Sequence, residues 1–137
     1  VNIQPYLFFD GRCEEALDYY QSVLGAEIEM IMRFRESPEP LPPGAMPPGA
    51  EDKVMHASFR VGKTEILASD GRCAGEPAFQ GFSLAISARS QEEARRIFAA
   101  LGDGGAVQMP LDRTFFAAAF GVVADRFGVS WMVMSGP

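Results

Sequence analysis

His56 is the only histidine in the sequence, and imidazole is the side chain that exchanges a proton near neutral pH without help from its surroundings. It stands between the apolar residues Met55 and Ala57, a setting open to two readings: a hydrogen-bonded core position or a general acid–base. If chemistry occurs here, His56 is the expected acid–base, with Asp70 as orienting or second acidic group. Cys13 and Cys73 lie in no C-x-x-C pair, so they are read as free thiols rather than a disulfide framework or a zinc site. Both close the same tetrapeptide, Asp-Gly-Arg-Cys, at 10–13 and 70–73, and Asp-Gly is a common turn pair. Phe34, Phe115, Phe116, Phe120 and Trp131 each fit core packing. A pocket made from some of them would take a flat or hydrophobic ligand, because aromatic rings bury large areas and stack.

Those groups need a scaffold. With 137 residues, 47% of them hydrophobic, the chain can fill one core but not two independent ones, so a single domain spanning 1–137 is expected. Net charge is −6, and the longest basic run is the pair Arg95-Arg96. That argues against a phosphate-tracking nucleic-acid surface and against an anionic membrane patch. No apolar run approaches the roughly 20 residues of a membrane span, and the N-terminal stretch lacks a charged region leading into an apolar one. A cytoplasmic protein is the expectation.

Residues 3–9 form an aromatic run with Pro5 near its start, as an edge strand tolerates. Leu17, Tyr20 and Leu24 then recur at helical spacing over 13–24, with Glu14, Glu15 and Asp18 early and Gly25 as the stop. Residues 26–35 alternate as a strand, with Ile28, Met30 and Met32 on one side. Six of the ten prolines follow within 37–50, a segment that excludes helix and sheet interior alike. It is a lid over a pocket, a recognition segment or a tolerated insertion. Residues 53–61 and 64–69 read as a hairpin through Gly62-Lys63.

The second half begins again. A strand over 81–87 precedes Ser90-Gln91-Glu92-Glu93, a capping box opening a helix whose core face is Ala94, Ile97, Phe98 and Leu101. Strands follow at 106–111, 115–123 and 129–134, the last entered through the turn Asp125-Arg126-Phe127-Gly128. The halves align at Glu14-Glu15-Ala16 with Glu92-Glu93-Ala94 and at Leu24-Gly25 with Leu101-Gly102. Each reads strand, helix, three strands, in module one (1–75) and module two (76–137). One helix covers one face of a small sheet, so the other face needs a partner. The expected class is α+β, with helices outside and a curved mixed sheet enclosing a concave space suited to a ligand.

The duplicated unit, the opening Pro5-Tyr6-Leu7-Phe8-Phe9-Asp10-Gly11, the run Glu14-Glu15-Ala16-Leu17-Asp18-Tyr19-Tyr20, the segment Val54-Met55-His56-Ala57 and the closing Asp125-Arg126-Phe127-Gly128-Val129-Ser130-Trp131 carry a resemblance. Together they resemble the PhnB-like branch of the vicinal oxygen chelate superfamily, which includes glyoxalase I, extradiol dioxygenases and bleomycin-resistance proteins. The resemblance implies two βαβββ modules, often completed by homodimerisation, with a ligand in the trough. It also implies a divalent metal held by His, Gln or Glu. Here the sequence departs: Gln4 is the one candidate among Ile3, Gln4 and Pro5, Phe82 or Ser83 stands in the second half, and Met132 replaces a carboxylate. A metal is therefore disfavoured, and Gln4 with His56 would be its ligands; cofactors are otherwise open. The implied parallel pairing of first and fourth strands would bring Cys13 and Cys73 near one another.

Three functions follow. The leading one is a homodimeric small-molecule-binding protein whose pocket is lined by Phe34, Phe115, Phe116, Phe120, Trp131 and Met132. A metal-dependent lyase, isomerase or dioxygenase of glyoxalase type, using His56 as ligand or acid–base, is the second. The third is a scaffold acting through the Pro-rich segment. The methyltransferase label common in this branch has no support in the sequence, which lacks a Gly-rich turn between strand and helix for adenosylmethionine.

Overall fold

Pairing of the first strand with the last of its own half is what turns each strand–helix–three-strand run into a sheet. The computed structural model describes residues 1–39, 44, 47–71, 73 and 77–136. The chain divides into two units, Val1–Pro77 and Ala78–Pro137, each with its own sheet and helix. In the first unit these are β1 (Tyr6–Phe8), α1 (Cys13–Leu24), β2 (Glu27–Arg33), β3 (Val54–Val61) and β4 (Thr64–Ser69), in sheet order β1-β4-β3-β2. β1 runs parallel to β4, and the other neighbours are antiparallel. The second unit repeats this with β5 (Leu84–Ala88), α2 (Gln91–Gly102), β6 (Ala106–Asp112), β7 (Ala119–Ala124) and β8 (Ser130–Ser135), in order β5-β8-β7-β6. Two four-stranded mixed sheets with flanking helices are the architecture the duplicated pattern predicts.

Each helix covers one face of its sheet. Ala16, Leu17 and Tyr20 of α1 are buried, and Tyr20 stacks on Phe59 of β3 at 5.7 Å and meets Phe9 at 6.1 Å. Leu7, Ala57, Phe59, Ile66 and Ala68 share this covered face through the register Leu7↔Ala68↔Ala57 and Phe59↔Ile66. In α2 the covered face is Ala94, Ile97, Phe98 and Leu101, as the spacing predicts. The helix ends also follow their sequence signals. Gly25 closes α1, its N–H bonded to the Tyr20 carbonyl, and Ser90 Oγ accepts the Glu93 N–H at 3.1 Å. The return bond of the capping box goes to a different donor: Glu93 Oε1 accepts the Arg89 N–H at 2.9 Å, and Arg89 holds the Glu93 carboxyl down to about 2.

Several strands differ from their expected bounds or facing, β5 among them in starting at Leu84 rather than 81, and three do so for local reasons. β1 is short because Pro5 has no N–H to give; its carbonyl still accepts from Leu67 N–H at 3.0 Å. β7 starts at Ala119 rather than 115 because the Thr114 hydroxyl captures the N–H groups of Phe116 and Ala117, at 3.3 and 3.1 Å, in a tight turn. In β2 the pairing slips between Ile28 and Met30, so Ile28 opposes Phe59 on the covered face while Met30 and Met32 oppose Ser58 and His56 on the other. The expected grouping of Ile28 with Met30 and Met32 is thus corrected by a bulge at Glu29, whose carboxylate meets Arg60 at 3.4 Å.

Candidate functional site

The face of the first sheet turned away from α1 gathers the candidate polar groups. Alternation along paired strands brings Tyr6 and Phe8 of β1, Leu67 and Ser69 of β4, His56 and Ser58 of β3, and Met30 and Met32 of β2 to that far face. Tyr6 Oη lies 2.9 Å from His56 Nδ1, their rings 5.6 Å apart, and Tyr6 stacks on Phe8 at 4.9 Å. Burial, opposed by a hydrogen bond with Ser69, raises the Tyr6 phenol above its ordinary value, so it stays protonated at neutral pH. A protonated phenol either donates to Nδ1 or accepts from it, depending on which ring nitrogen carries the proton. The pair therefore fixes the imidazole's orientation. A second polar group sits at the other end of the face, where Gln4 Nε2 donates to Glu65 Oε1 and Arg60 lies 3.4 Å from Glu29 and 3.9 Å from Glu65.

Asp70 is elsewhere, buried at the end of β4. Its Oδ1 accepts the N–H groups of Gly11 and Cys13, at 2.9 and 2.7 Å, and its Oδ2 accepts that of Val54 at 2.7 Å. It caps the start of α1 from a strand 57 residues away in sequence from Cys13. The two Asp-Gly turns meet at this carboxylate, because the Gly11 and Cys13 amides of the first bond the Asp70 side chain of the second, whose main-chain carbonyl accepts the Cys73 N–H at 3.1 Å; Arg72 lies outside the described residues. Cys13 is fully buried, and burial followed by the nearby Asp70 pushes its thiol far up; the half-exposed Cys73 thiol is raised by the same causes. A thiolate is the reactive form. A disulfide reagent should therefore label Cys73 first and slowly in the folded protein, and Cys13 only on unfolding. Rapid labelling of both thiols without denaturant, read by mass mapping, would contradict this.

In the second unit, Met132, Met134, Phe120, Val122 and Met109 share the far face of the sheet. Phe116 meets Phe120 edge-on at 5.1 Å, and the fully exposed Phe115 meets Phe116 at the same distance. Of the aromatic residues singled out from sequence, these three come together, with Phe120 opposite Met134, two positions along β8 from Met132. Trp131 does not, because strand alternation turns it to the covered face, where it is 2% exposed and its Nε1 donates to Asp125 Oδ2 at 2.8 Å. Phe34 belongs to a short 3-10 turn after β2, with its N–H bonded to the Lys53 carbonyl at 3.1 Å. That bond, with Arg33 Nη1 on the Asp52 carbonyl at 2.7 Å and Arg35 on the Asp52 carboxylate at 2.9 Å, ties together the two stems of the Pro-rich segment. Its centre, 40–43 and 45–46, lies outside the described residues.

Tyr6 and Glu65 are site residues that sequence reasoning missed. Alternation could place each on a face, but Tyr6 meets His56 only through a register spanning β1, β4 and β3. The donors do not fit a catalytic metal: Gln4 is engaged with Glu65 and His56 Nδ1 with Tyr6, and no group of three His, Cys, Asp or Glu among the described residues is placed to hold an ion.

A βαβββ unit made twice, each with one helix-covered face, is the architecture of the vicinal oxygen chelate fold. A family model described as 3-demethylubiquinone-9 3-methyltransferase matches residues 1–134, and the chain belongs to that family, which it shares with a PhnB protein; its fold is also that of a glyoxalase/bleomycin resistance protein/dioxygenase domain from Frankia sp. EAN1pec, 16% identical with a TM-score of 0.65. It is similar to Protein YjdN of Escherichia coli (strain K12), 36% identical over 96% of this chain and 92% of the relative. The crystal structure of protein PA1353 from Pseudomonas aeruginosa is 42% identical, with a TM-score of 0.84 over 99% of this chain and 98% of that one. The PhnB protein of Bacillus cereus is 31% identical, with a TM-score of 0.81 over 99% and 100%. The methyl transfer in the family's description does not match the site. Each sheet is a four-stranded mixed one rather than a doubly wound parallel one, and the Gly11 and Cys13 amides at the start of α1, where a cofactor's anionic group would bind, are already bonded to Asp70.

Proposed function

We propose that this protein binds a small flat or apolar molecule against the far faces of its sheets, and that a second copy of the chain closes the trough. The observation that carries this reading is the composition of those faces. Tyr6 and Phe8 in the first unit and Met109, Phe115 and Phe116 in the second are exposed, at 39%, 55%, 49%, 100% and 49%. Large side chains concentrated on one face of a sheet have an unmet need for cover. On the first unit's face Tyr6 and His56 supply a polar contact that orients such a ligand, and on the second unit's own face Met132 and Phe120 supply adaptable packing. Two free thiols accord with a cytoplasmic setting.

A second reading, acid–base catalysis on the bound molecule, is favoured by the Tyr6–His56 hydrogen bond alone. Oriented by Tyr6, the imidazole would take or give a proton through Nε2. Native mass spectrometry of protein purified without chelator tests the main proposal. The expected species is a dimer carrying a small organic ligand, which Met132→Glu loses and which Tyr6→Phe retains with weakened affinity. A ligand-free monomer whose melting temperature no aromatic or apolar compound raises would refute it. Metal analysis on the same sample separates binding from metal chemistry. More than about a tenth of an equivalent of Zn, Ni, Mn or Fe, with stabilisation on adding that metal, would favour the glyoxalase-type alternative, because a ligand that binds the native state raises its stability.

A further inference from the structure

On the helix-covered side of the second unit's sheet, away from Met132, lies a groove built by an irregularity in β6. Between the pairs Met109↔Val122 and Asp112↔Phe120, two residues of β6, Pro110 and Leu111, stand opposite the single Gly121 of β7. A bulge of this kind bends an edge strand and re-aims its side chains. Pro110, without an N–H, is at home there. Gly121 permits the close approach: a Cβ at that position would lie 2.8 Å from Leu111 Cα, a distance at which backbone must move.

The bent strand and α2 border an open groove of about 620 Å³, with Phe98, Val107, Leu111 and Ala118 as apolar lining and Arg95, Arg113 and Asp112 among the polar lining residues. That volume is in the range of about 300–1,000 Å³ occupied by small-molecule sites. Of the other charged groups nearby, Glu93 is held in ion pairs and Asp112 takes only a main-chain hydrogen bond among the described residues. Glu93 pairs with Arg89 at 2.6 Å and lies 3.9 Å from Arg96, while Asp112 accepts the Arg113 N–H at 2.7 Å. Arg95 donates to Gln91 Oε1 at 3.2 Å, and neither Arg95 nor Arg113 has an ion-pair partner among the described residues. Asp112 also lines the groove, so two guanidinium groups against one carboxylate leave a net positive spot over an apolar floor in a chain of net charge −6.

We propose that this groove is a second ligand site, separate from the far faces, and that it takes an amphipathic monoanion. A carboxylate or sulfonate head is held between Arg95 and Arg113, where the planar guanidinium offers paired donors. A short alkyl or aryl body lies over Phe98 and Leu111. The charge complementarity selects the anion, and the apolar lining selects the body.

The test is a titration of the full chain with decanoate, 4-phenylbutyrate and uncharged decanol, followed through backbone amide resonances. Decanoate and 4-phenylbutyrate should shift Val107, Leu111 and Ala118 saturably, with the tighter of the two reporting the preferred body. Arg95→Gln with Arg113→Gln should weaken both acids by about tenfold while leaving decanol unchanged, the difference expected when charge-assisted hydrogen bonds are removed. Both arginines are exposed, so the double variant should keep the parent melting temperature. Equal affinity of the acids for parent and double variant would overturn the proposal. So would shifts confined to Tyr6, His56 and Met132, or shifts at the groove that follow protein concentration rather than ligand.

Discussion

Replacing Asp70 with alanine should destabilise the fold by about 3–5 kcal/mol, the cost of leaving several buried donors without an acceptor. That magnitude rests on three main-chain N–H groups, those of Gly11, Cys13 and Val54, which bond this one carboxylate at 2.7–2.9 Å. Asp70 is 1% exposed, so water cannot stand in without opening the structure. The milder change Asp70→Asn keeps one carbonyl oxygen but turns an amide N–H₂ toward a donor, and should cost about 1–3 kcal/mol. Urea unfolding checks both, as a fall in midpoint at constant slope. A loss below about 1 kcal/mol for the alanine variant would remove Asp70 from the centre of the first unit. The asparagine variant also separates two roles. A structural Asp70 predicts unchanged ligand affinity in the fraction that stays folded, whereas a proton-transferring one predicts a functional loss out of proportion to stability.

The second unit has its own buried carboxylate, and Asp125→Ala should be nearly as damaging, at about 3–4 kcal/mol. Asp125 Oδ1 accepts the N–H groups of Phe127 and Val129, at 2.9 and 3.1 Å, while Oδ2 accepts Trp131 Nε1 at 2.8 Å. Its main chain closes the turn as well, its carbonyl accepting the Gly128 N–H at 2.9 Å, with Gly128 at a φ of 91°. One side chain thus holds the β7–β8 turn and pins the indole of the strand that follows. Trp131 is the only tryptophan, so its emission reports the outcome directly. The variant should show a red-shifted spectrum and a lower unfolding midpoint, and a parent-like spectrum and midpoint would refute the assignment. Trp131→Phe leaves the turn bonds in place and should cost less.

These two carboxylates mark how far the sequence could be read. The turn at Asp125 is local: an Asp, an aromatic and a glycine within four positions already announce a reversal, and every bond Asp125 makes within the turn spans a few residues. The role of Asp70 is not local. Its partners are Gly11, Cys13 and Val54, and no periodicity links them; only the parallel pairing of β1 with β4 brings the start of α1 to the end of β4. The repeated Asp-Gly-Arg-Cys tetrapeptide hinted at the meeting of the two turns without revealing that one carboxylate joins them. Likewise, alternation gave His56 a face but could not give it Tyr6, and aromatic content named Trp131 without saying which side of the sheet it would take.

The sequence by itself determined the elements, their duplication, the helix caps, the closing turn and the family, because each is written in short-range patterns of apolar spacing, turn residues and repeated order. The tertiary structure alone decided which chemistry those elements can carry. It paired Tyr6 with His56, turned Asp70 into a buried cap, sent Trp131 to the covered face, and bent β6 opposite Gly121 of β7 to open a groove beside Arg95 and Arg113. The physical reason is register. A strand's period of two says that residues alternate, but a shift of one position exchanges its faces, and that shift is set by pairing between strands and by bulges such as those at Glu29 and Pro110.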